Sequence, residues 1–370
     1  MRQKTLVYPY DRQFLPVLQF ADKVEKYEFC SLVSPSGWGL SGKDAGAAGL
    51  ATPVGIIVTD DFEAALSECE TVLVAQSDLP LSKEEHLLPC MRLAIEQGKH
   101  IVCTVELTDE EIQMLSELAD INSVRFEIAN KRADHVRLAK HAVENTIALH
   151  DIHAPVVMIF GLIELVSKFA TQLAFEDYLV SQGYSVSLIT SREYGELLGA
   201  HSAPGFMFSK EFTEEEKIIL FNNYVKQIEL RESPDVILIG VPGGMLPTTN
   251  RITNRFGITA FEITQGITPD ASIVCTLCAE YSAEYFDNLT PLLNAKFSIE
   301  TTGYVVDNIA TTFSGQEQDE DLPMLLLDEA ALASRTFPHV ATPVVSRLER
   351  EKLFTDVIDQ LASYADTMTL

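Results

Sequence analysis

The chain has 370 residues, of which 46% are hydrophobic and 22% charged, so it can bury two ordinary hydrophobic cores. Its 54 acidic and 27 basic residues give a formal net charge of −27, which disfavours binding to nucleic acid or anionic lipid and weakly favours cationic partners. Since the sequence has no apolar run near the roughly 20 residues of a membrane-spanning helix, and Arg2-Gln3-Lys4 leads into a strand pattern, we expect a cytosolic protein.

The first part of the sequence alternates strand and helix patterns, which is typical of a parallel sheet with right-handed crossovers. We therefore predict a Rossmann-like α/β domain over residues 1–128. Its predicted strands span residues 5–8, 29–33, 54–58, 72–76, 101–104 and 124–128. Its predicted helices span residues 14–27, 61–69 with Asp60 or Asp61 as cap, 83–97 and 108–118.

A helical connector is predicted over residues 129–154, followed by a second α/β domain over residues 155–315. The predicted strands of this second domain span residues 156–160, 185–190, 236–240, 271–277 and 297–306, and its helices span 170–182, 213–232 and 282–295. Residues 316–370 are predicted to form an acidic linker and a helix over 344–364. The expected fold class is α/β, with two doubly wound, mostly parallel sheets and a C-terminal helix.

A glycine-rich segment follows the second predicted strand. It fits G-x-G-x-x-G through Gly37, Gly39 and Gly42, and it fits G-x-x-x-x-G-K when Lys43 is included. Asp44 stands where a phosphate-binding loop has Ser or Thr, and the segment does not follow the first strand. A ligand- or peptide-binding loop, an inert connection and a dinucleotide site all remain open, with these five residues as candidate cofactor-binding residues.

The middle of the sequence resembles a P-loop in which key positions are replaced. A working G-x-x-x-x-G-K-[ST] loop uses its glycines to turn backbone N–H groups to phosphate, its Lys for charge and its hydroxyl for Mg²⁺. Here Gly161 comes one residue early, Ser167 replaces the second glycine, Lys168 is retained and Phe169 replaces the hydroxyl. This pattern predicts a strand-loop-helix unit that can still hold phosphate but is poorly equipped for ATP hydrolysis.

The strand that would carry the Mg²⁺-binding acid of a P-loop protein ends in Gly240 instead. Both protein ligands expected for magnesium are then missing, and no metal site is predicted. Gly243 and Gly244 follow within the segment 242–247, which we expect to line any pocket that persists. Gly161, Ser167, Lys168, Gly240, Gly243 and Gly244 are therefore the candidate cofactor-binding residues of this half.

Two side chains are candidates for acid–base chemistry. His201 lies in a predicted loop before Thr213, whose segment resembles a capping box, and either an acid–base group or a surface histidine fits that context. Glu262 in the segment 260–265, like Asp307 and Asn308, is expected near strand ends, where ligands of open parallel sheets gather. His201 and Glu262 are the candidate catalytic residues.

The cysteines and paired histidines favour structural roles. The six cysteines form no disulfide framework, and Cys275 and Cys278 are placed within or at the end of a strand rather than at a helix start, which disfavours a redox pair. His150 and His153 have a metal-compatible spacing but lack a clear third ligand.

The order of these segments resembles two bacterial families. The glycine loop of residues 42–46, the segments 63–66 and 71–76 and the following P-loop-type domain resemble a two-domain family; some of its members are acyl-CoA-dependent N-acetyltransferases of D-amino acids and keep an intact G-K-[ST]. The chain is more closely similar to the clostridial peptide maturation system family, which accompanies radical SAM enzymes, precursor peptides and exporters. The segments that carry this second resemblance are 34–44, 160–161, 168–169, 183–186, 198–201, 217–222, 234–235 and 242–244.

The second resemblance implies a role in modifying a ribosomally made peptide natural product. The first hypothesis is a maturation component that binds the precursor peptide or a phosphate-bearing cofactor in an interdomain cleft. The second is a transferase that uses a nucleotide or acyl-CoA held by Lys168, and the third is a non-catalytic scaffold whose acidic surface recruits basic segments. The expected partners are the precursor peptide and other maturation enzymes, with a homodimer as a further option. Whether the protein is an enzyme stays open, because the sequence shows no clear nucleophile–base pair.

Overall fold

The structure of the protein is a computed structural model that describes residues 2–50, 52–77, 79, 81–129, 132–143, 148–164, 166–311 and 324–367. The chain divides into two compact units. Unit 1 consists of Met1–Arg132 and Glu193–Gly199, and unit 2 consists of Ala133–Arg192 and Ala200–Leu370. Unit 1 is therefore discontinuous in sequence.

Within its described residues, unit 1 has a parallel sheet of six strands in the order β3-β2-β1-β4-β5-β6. The strands are β1 (Gln3–Tyr8), β2 (Tyr27–Val33), β3 (Val58–Thr59), β4 (Thr71–Val74), β5 (His100–Cys103) and β6 (Phe126–Ile128). The helices are α1 (Leu15–Gln19), α2 (Phe62–Leu66), α3 (Leu88–Glu96) and α4 (Asp109–Ile121). This strand order is that of doubly wound dinucleotide-binding domains, and the predicted parallel α/β architecture is confirmed.

The core of unit 1 lies between its central strands and the helices beside them. Strand β4 is buried along its whole length, as expected for a parallel strand that is covered on both faces. In α3, Leu88, Met91 and Ile95 follow each other at helical spacing and are buried in the same cluster as Leu6 of β1. The apolar stripe of the helix therefore fixes which face it turns to the sheet.

The described residues of unit 2 include a parallel sheet of seven strands in the order β15-β12-β11-β7-β10-β8-β9. Its strands are β7 (Val156–Gly161), β8 (Val186–Thr190), β9 (His201–Ser202), β10 (Val236–Gly240), β11 (Ala271–Thr276), β12 (Thr301–Val306) and β15 (Val344–Ser346). A separate antiparallel pair consists of β13 (Ile309–Thr311) and β14 (Met324–Leu326). The second predicted parallel sheet is thus confirmed as well.

The remaining helices accompany this second sheet. They are α5 (Arg132–Val143), α6 (Lys168–Ser181), α7 (Glu214–Glu232), α8 (Ile258–Gly266), α9 (Ala283–Phe297), α10 (Glu329–Ala333) and α11 (Arg350–Thr367). The predicted capping box is present at α7, where Thr213 and Glu216 each bond the other's backbone N–H. The C-terminal helix is present as α11.

Several predicted element boundaries are wrong. The helix predicted over residues 14–27 stops at Gln19, and Tyr27 already begins β2. The alternation of buried Tyr27, exposed Glu28 and buried Phe29 is the period of a half-buried strand. The strand predicted over residues 54–58 is reduced to the two residues of β3, because the N–H groups of Val54 and Gly55 bind a side chain instead.

The end of the chain also departs from its predicted elements. The strand predicted from residue 297 starts at Thr301, because Phe297 closes α9 and Ser298 caps that helix in a left-handed conformation with φ 54°. The helix predicted over residues 344–364 begins only at Arg350. Val344 and Val345 instead pair with β12, as β-branched residues favour. The predicted acidic linker at 316–321 lies outside the described residues.

Candidate functional site

The strand-loop-helix segment of unit 2 is present: β7 ends at Gly161, and α6 starts at Lys168 after a short loop. The loop packs closely on glycines. A Cβ atom on Gly161 would lie 2.5 Å from the Ile163 carbonyl oxygen and 2.8 Å from Val166 Cγ2, and Ile163 and Val166 are themselves buried. The loop thus folds closely over Gly161 and buries two apolar side chains, whereas a working P-loop turns its backbone N–H groups to phosphate.

Lys168 and Ser167 are both engaged by the protein itself. Lys168 is only 5% exposed, and its ammonium donates a hydrogen bond to the Gly243 carbonyl oxygen. The Ser167 N–H at the start of α6 donates to Asp307 Oδ2 at 2.7 Å. Asp307 follows β12 and is 2% exposed. A carboxylate of the chain therefore binds the helix N-terminus, where an anion is favoured.

Arg347 contacts this carboxylate, and Arg350 lies close enough to both for their charges to affect its pKa. Arg347 Nη1 lies 3.4 Å from Asp307 Oδ1 and donates to Asn308 Oδ1 at 2.7 Å. The pKa of Arg350 falls to about 10, because burial and the positive charge of Arg347 lower it more than Cys275 and Asp307 raise it. We call Lys168, Arg347, Arg350 and Asp307, four charged side chains around the start of α6, the anion cluster.

Gly240 is covered by a neutral amide. A Cβ atom on Gly240 would lie 1.9 Å from Gln172 Nε2. Gln172 is fully buried and exchanges hydrogen bonds with Ser191, donating to its Oγ at 3.0 Å and accepting from its N–H at 3.2 Å. The strand end that would carry a Mg²⁺-binding acid in a P-loop protein is therefore packed under α6. Gly244 is equally confined, since its Cβ would lie 2.8 Å from Ile163 Cα.

The two cysteines at this sheet edge are free thiols. Cys275 in β11 is buried, burial raises its pKa to about 12, and its Sγ lies 3.6 Å from Thr171 Oγ1. Burial also raises the pKa of Cys278. Both are protonated at neutral pH, and a thiol in that form is a poor nucleophile.

The glycine loop of unit 1 is a turn held together by internal hydrogen bonds. Gly37, Gly39 and Gly42 all have positive φ, between 76° and 92°. Asp44 accepts three backbone hydrogen bonds, from Gly46 and Val54 at Oδ1 and from Gly55 at Oδ2. Burial raises its pKa, but these donors outweigh burial and leave the pKa lowered. The carboxylate is thus used inside the loop, while the side chain of Lys43 is exposed.

His201 lies in the short edge strand β9 rather than in the predicted loop. Its Nε2 lies 2.7 Å from Glu232 Oε1, and Glu232 Oε2 accepts a hydrogen bond from Ser187 at 2.6 Å. Burial raises the pKa of Glu232, but the hydrogen bonds from Ser187 and His201 outweigh it and leave the pKa lowered. The Glu232 carboxylate lies between Ser187 and His201. His201 therefore does not bond the serine hydroxyl, as a general base that activates a serine nucleophile would.

Glu262 lies on α8, not at a strand end, because the apolar residues Ala260 and Ile263 turn that segment onto the core as a helix. It is fully buried, and its Oε1 is 3.7 Å from Lys217 Nζ on α7. Burial raises its pKa, against the opposing effects of Lys217 and Arg255. Among the residues that the structure describes, neither carboxylate oxygen has a hydrogen-bond partner. Glu262 is therefore placed between two helices and has no described contact with the anion cluster.

The backbone N–H groups of His150 and His153 both donate hydrogen bonds to side chains of α7. The His150 N–H donates to Asn222, and the His153 N–H donates to Glu229 at 2.6 Å. Within the described ranges, no three His, Cys, Asp or Glu side chains are grouped so that they could hold a metal ion. The same part of the chain contains no helix with the length and apolar character needed to cross a membrane.

Sequence reasoning missed both arginines and Gln172. Arg347 and Arg350 fall in the region predicted as a uniform helix, and the available signal was two arginines three residues apart in a chain with few basic residues. Asp307 was noted only as a polar residue near a strand end. Its contact with Ser167 spans 140 residues, which local patterns do not reveal.

Comparison with solved structures identifies the architecture. The fold is similar to the crystal structure of a DUF1611 family protein from Anabaena variabilis, with a TM-score of 0.60 and 12% identity, covering 97% of this chain and 100% of that one. At that identity the likeness concerns the fold alone. An amine dehydrogenase from Mycobacterium smegmatis has a TM-score of 0.31 at 16% identity, covering 49% of this chain and 56% of its own. Chloroplast FtsY from Physcomitrella patens has a TM-score of 0.29 at 14% identity, covering 65% and 77%.

The latter two TM-scores are too low to carry an argument. No protein-family model matches the chain, and no curated protein matches it.

Proposed function

We propose that unit 2 binds a phosphate-bearing small molecule, a nucleotide or an acyl-CoA, at the anion cluster. The observation that carries this proposal is the anion that the chain itself places at the N-terminus of α6: Asp307 accepts a hydrogen bond from the Ser167 N–H at 2.7 Å and lies 3.4 Å from Arg347 Nη1. A helix N-terminus beside an arginine favours a phosphate for the same electrostatic reason that it favours this carboxylate. Arg side chains can also bind phosphate through two parallel hydrogen bonds.

The cluster is suited to holding and orienting a ligand without a metal ion bound by the protein. Phe169 and Gly240 stand at the two positions that hold magnesium in P-loop proteins. The α6 N-terminus and the three cations supply positive charge instead. A ligand phosphate would bind beside Asp307 or take over its hydrogen bond from Ser167.

The setting that we propose is the maturation of a ribosomally made peptide in the cytoplasm, with the precursor peptide and other maturation enzymes as partners. The support is the ordered set of segments described above, from residue 34 to 244. Transfer of an acyl or nucleotidyl group to an amino acid or peptide is one activity that such a site could serve. A non-catalytic scaffold is the second candidate, and it is favoured by the internal hydrogen bonds that already engage Lys168 and the Ser167 N–H.

Isothermal titration calorimetry of the purified protein with ATP, acetyl-CoA and pyrophosphate, with and without Mg²⁺, tests the proposal. We expect Lys168→Met and Arg350→Met to weaken binding of the same ligand at least about tenfold, the equivalent of 1.4 kcal/mol. Asp307→Asn should strengthen it, because the competing internal charge is removed. Lys352→Met is the matched control, since Lys352 lies on α11 beside Arg350 but is 69% exposed.

The result against the proposal is wild-type protein that binds none of the three ligands, or equal weakening in Lys352→Met. Binding that requires Mg²⁺ would contradict the proposed metal-free site.

A further inference from the structure

A surface of unit 2 around the start of α8 combines strained backbone with exposed apolar and basic side chains. Asn254, Arg255 and Phe256 have φ values of 47°, 49° and 55°, and Gly257 follows with 77°. Left-handed backbone costs about 1–2 kcal/mol for each residue other than glycine. Three such residues in a row persist only where the surroundings enforce them.

Hydrogen bonds and close packing hold this turn. Asn254 Nδ2 donates to the Leu246 carbonyl oxygen at 2.6 Å, and Lys296 Nζ on α9 donates to the Phe256 carbonyl oxygen at 3.0 Å. A Cβ atom on Gly257 would lie 2.3 Å from the Met245 carbonyl oxygen. These contacts fix the turn from both sides. The turn in this conformation leaves Phe256 59% exposed.

Other apolar side chains are exposed beside Phe256. Ile258 and Phe261, three residues apart on one face of α8, are 40% and 44% exposed. Leu292, 52% exposed, lies one helical turn before Lys296, whose ammonium reaches the Phe256 carbonyl oxygen. We call Phe256, Ile258, Phe261 and Leu292, together with the exposed cations Arg255 and Lys296, the Phe256 patch.

The charge of the Phe256 patch is opposite to that of the chain. Arg255 and Lys296 are both exposed here, in a chain with 27 basic and 54 acidic residues, and the nearby Glu262 is buried. Contiguous exposed apolar groups with a polar rim mark interaction surfaces, and aromatic residues and arginine are enriched in such surfaces. A rigid backbone that displays an aromatic ring also lowers the entropy lost on binding.

We propose that the Phe256 patch docks an acidic, amphipathic peptide segment. Acidic side chains of the segment would pair with Arg255 and Lys296, and apolar side chains at helical spacing would cover Phe256 and its neighbours. A peptide covers only the patch, and charges beyond about 8 Å are screened at physiological salt. An anionic membrane would also face the surrounding acidic surface, so the peptide is the better-matched partner. This inference is independent of the anion cluster.

Fluorescence anisotropy with the full chain and a labelled synthetic peptide tests the proposal. The probe is an amphipathic helix of about 20 residues with Glu on its polar face and Leu and Phe on its apolar face; a second peptide carries Lys in place of Glu. We expect the acidic peptide to bind at least about tenfold more tightly than the basic one, and less tightly as salt is raised.

Variants locate the binding surface. Phe256→Asn, which keeps a residue tolerant of left-handed backbone, and separately Phe261→Ser and Arg255→Glu, should each weaken acidic-peptide binding about tenfold. Phe261→Ser on the exposed helix face keeps the test valid if Phe256→Asn does not fold. The matched control is Leu230→Ser with Arg231→Glu, an exposed apolar–basic pair at the end of α7 that should change nothing.

Three results would overturn the inference: no binding of the acidic peptide, equal binding of both peptides, or equal loss in the Leu230/Arg231 control. Binding to vesicles of phosphatidylglycerol and phosphatidylcholine without peptide binding would also overturn it and point to a membrane.

Discussion

At the scale of single residues, carboxylates in this protein hold loops by accepting backbone hydrogen bonds. Asp44 takes three N–H groups of its loop, Glu229 takes those of His153 and Ala154, and Asp307 takes that of Ser167. Asp44 lies in a motif that reads as a phosphate cradle. Its side chain nevertheless serves the loop itself, since a charged acceptor satisfies several donors at once.

We expect Asp44→Ala to destabilise the glycine loop by about 2 kcal/mol, because a cap and two further hydrogen bonds are lost. Hydrogen exchange at Gly46, Val54 and Gly55 is the measurement, with Asp60→Ala as the control. Since the pKa of Asp44 is lowered, its stabilisation is present above the ordinary carboxyl pKa and is lost as pH falls through the folded value. Unchanged exchange at the three amides would contradict the assigned role.

Glu262 should show the opposite pH dependence. Its pKa is raised by burial, so its contribution to stability is complete below the ordinary Glu pKa and is lost as pH rises through the folded value. We expect the free energy of unfolding of Glu262→Gln to fall less than that of the wild type as pH rises from about 4 to 7. The difference should be about 1.4 kcal/mol for each unit by which the Glu262 pKa is raised. Urea unfolding over this range is the measurement, with exposed Glu215→Gln as control. Parallel profiles of Glu262→Gln and wild type would show that Lys217 fully compensates the charge.

At the scale of elements, the strand-loop-helix frame of a P-loop is retained, but the residues at its phosphate- and metal-binding positions contact other parts of the protein. Apolar strand runs and the helical spacing after Lys168 were sufficient to predict β7, α6 and the parallel sheet. The partners of that frame were not predictable, because Asp307 and Arg347 come from distant segments. The stretch at Val344 was misread, since two valines fit a helix or a strand until the neighbouring strand is known.

The packing of Gln172 against Gly240 can be tested directly. We expect Gly240→Ala to destabilise unit 2, because the new methyl group collides with a fully buried amide that is bonded to Ser191. Combining it with Gln172→Ala should recover part of the loss, with a coupling energy of about 0.5–3 kcal/mol in a double-mutant cycle. Strictly additive effects would mean that the amide does not confine this strand end.

At the scale of the whole chain, the last helix is an integral part of unit 2. Phe354 on α11 is fully buried and stacks on Phe175 of α6 with ring centroids 4.5 Å apart. Gln360 also donates a hydrogen bond to the Asp270 carbonyl oxygen at 2.8 Å. The sequence predicted this helix as a tail, because its apolar spacing does not reveal which surface it covers.

Phe354→Ala should destabilise unit 2 by about 3–5 kcal/mol, the usual cost of removing a buried aromatic ring. Thermal unfolding reports the loss, and hydrogen exchange should show it in β12 and α6. Leu348→Ala is the control, since Leu348 is 41% exposed. A loss of less than about 1 kcal/mol would show that α11 is dispensable.

The discontinuity of unit 1 has a consequence for biosynthesis. Tyr194 is fully buried in this unit, packs edge-on against Phe14 and donates a hydrogen bond to the Gln76 carbonyl oxygen. During translation the ribosome must therefore extend the chain beyond Gly199 before the N-terminal unit can complete its own packing. A nascent chain that stops at residue 132 would keep the contact of Phe14 with Phe29 but lack the one with Tyr194, and would leave apolar surface exposed for chaperones to bind.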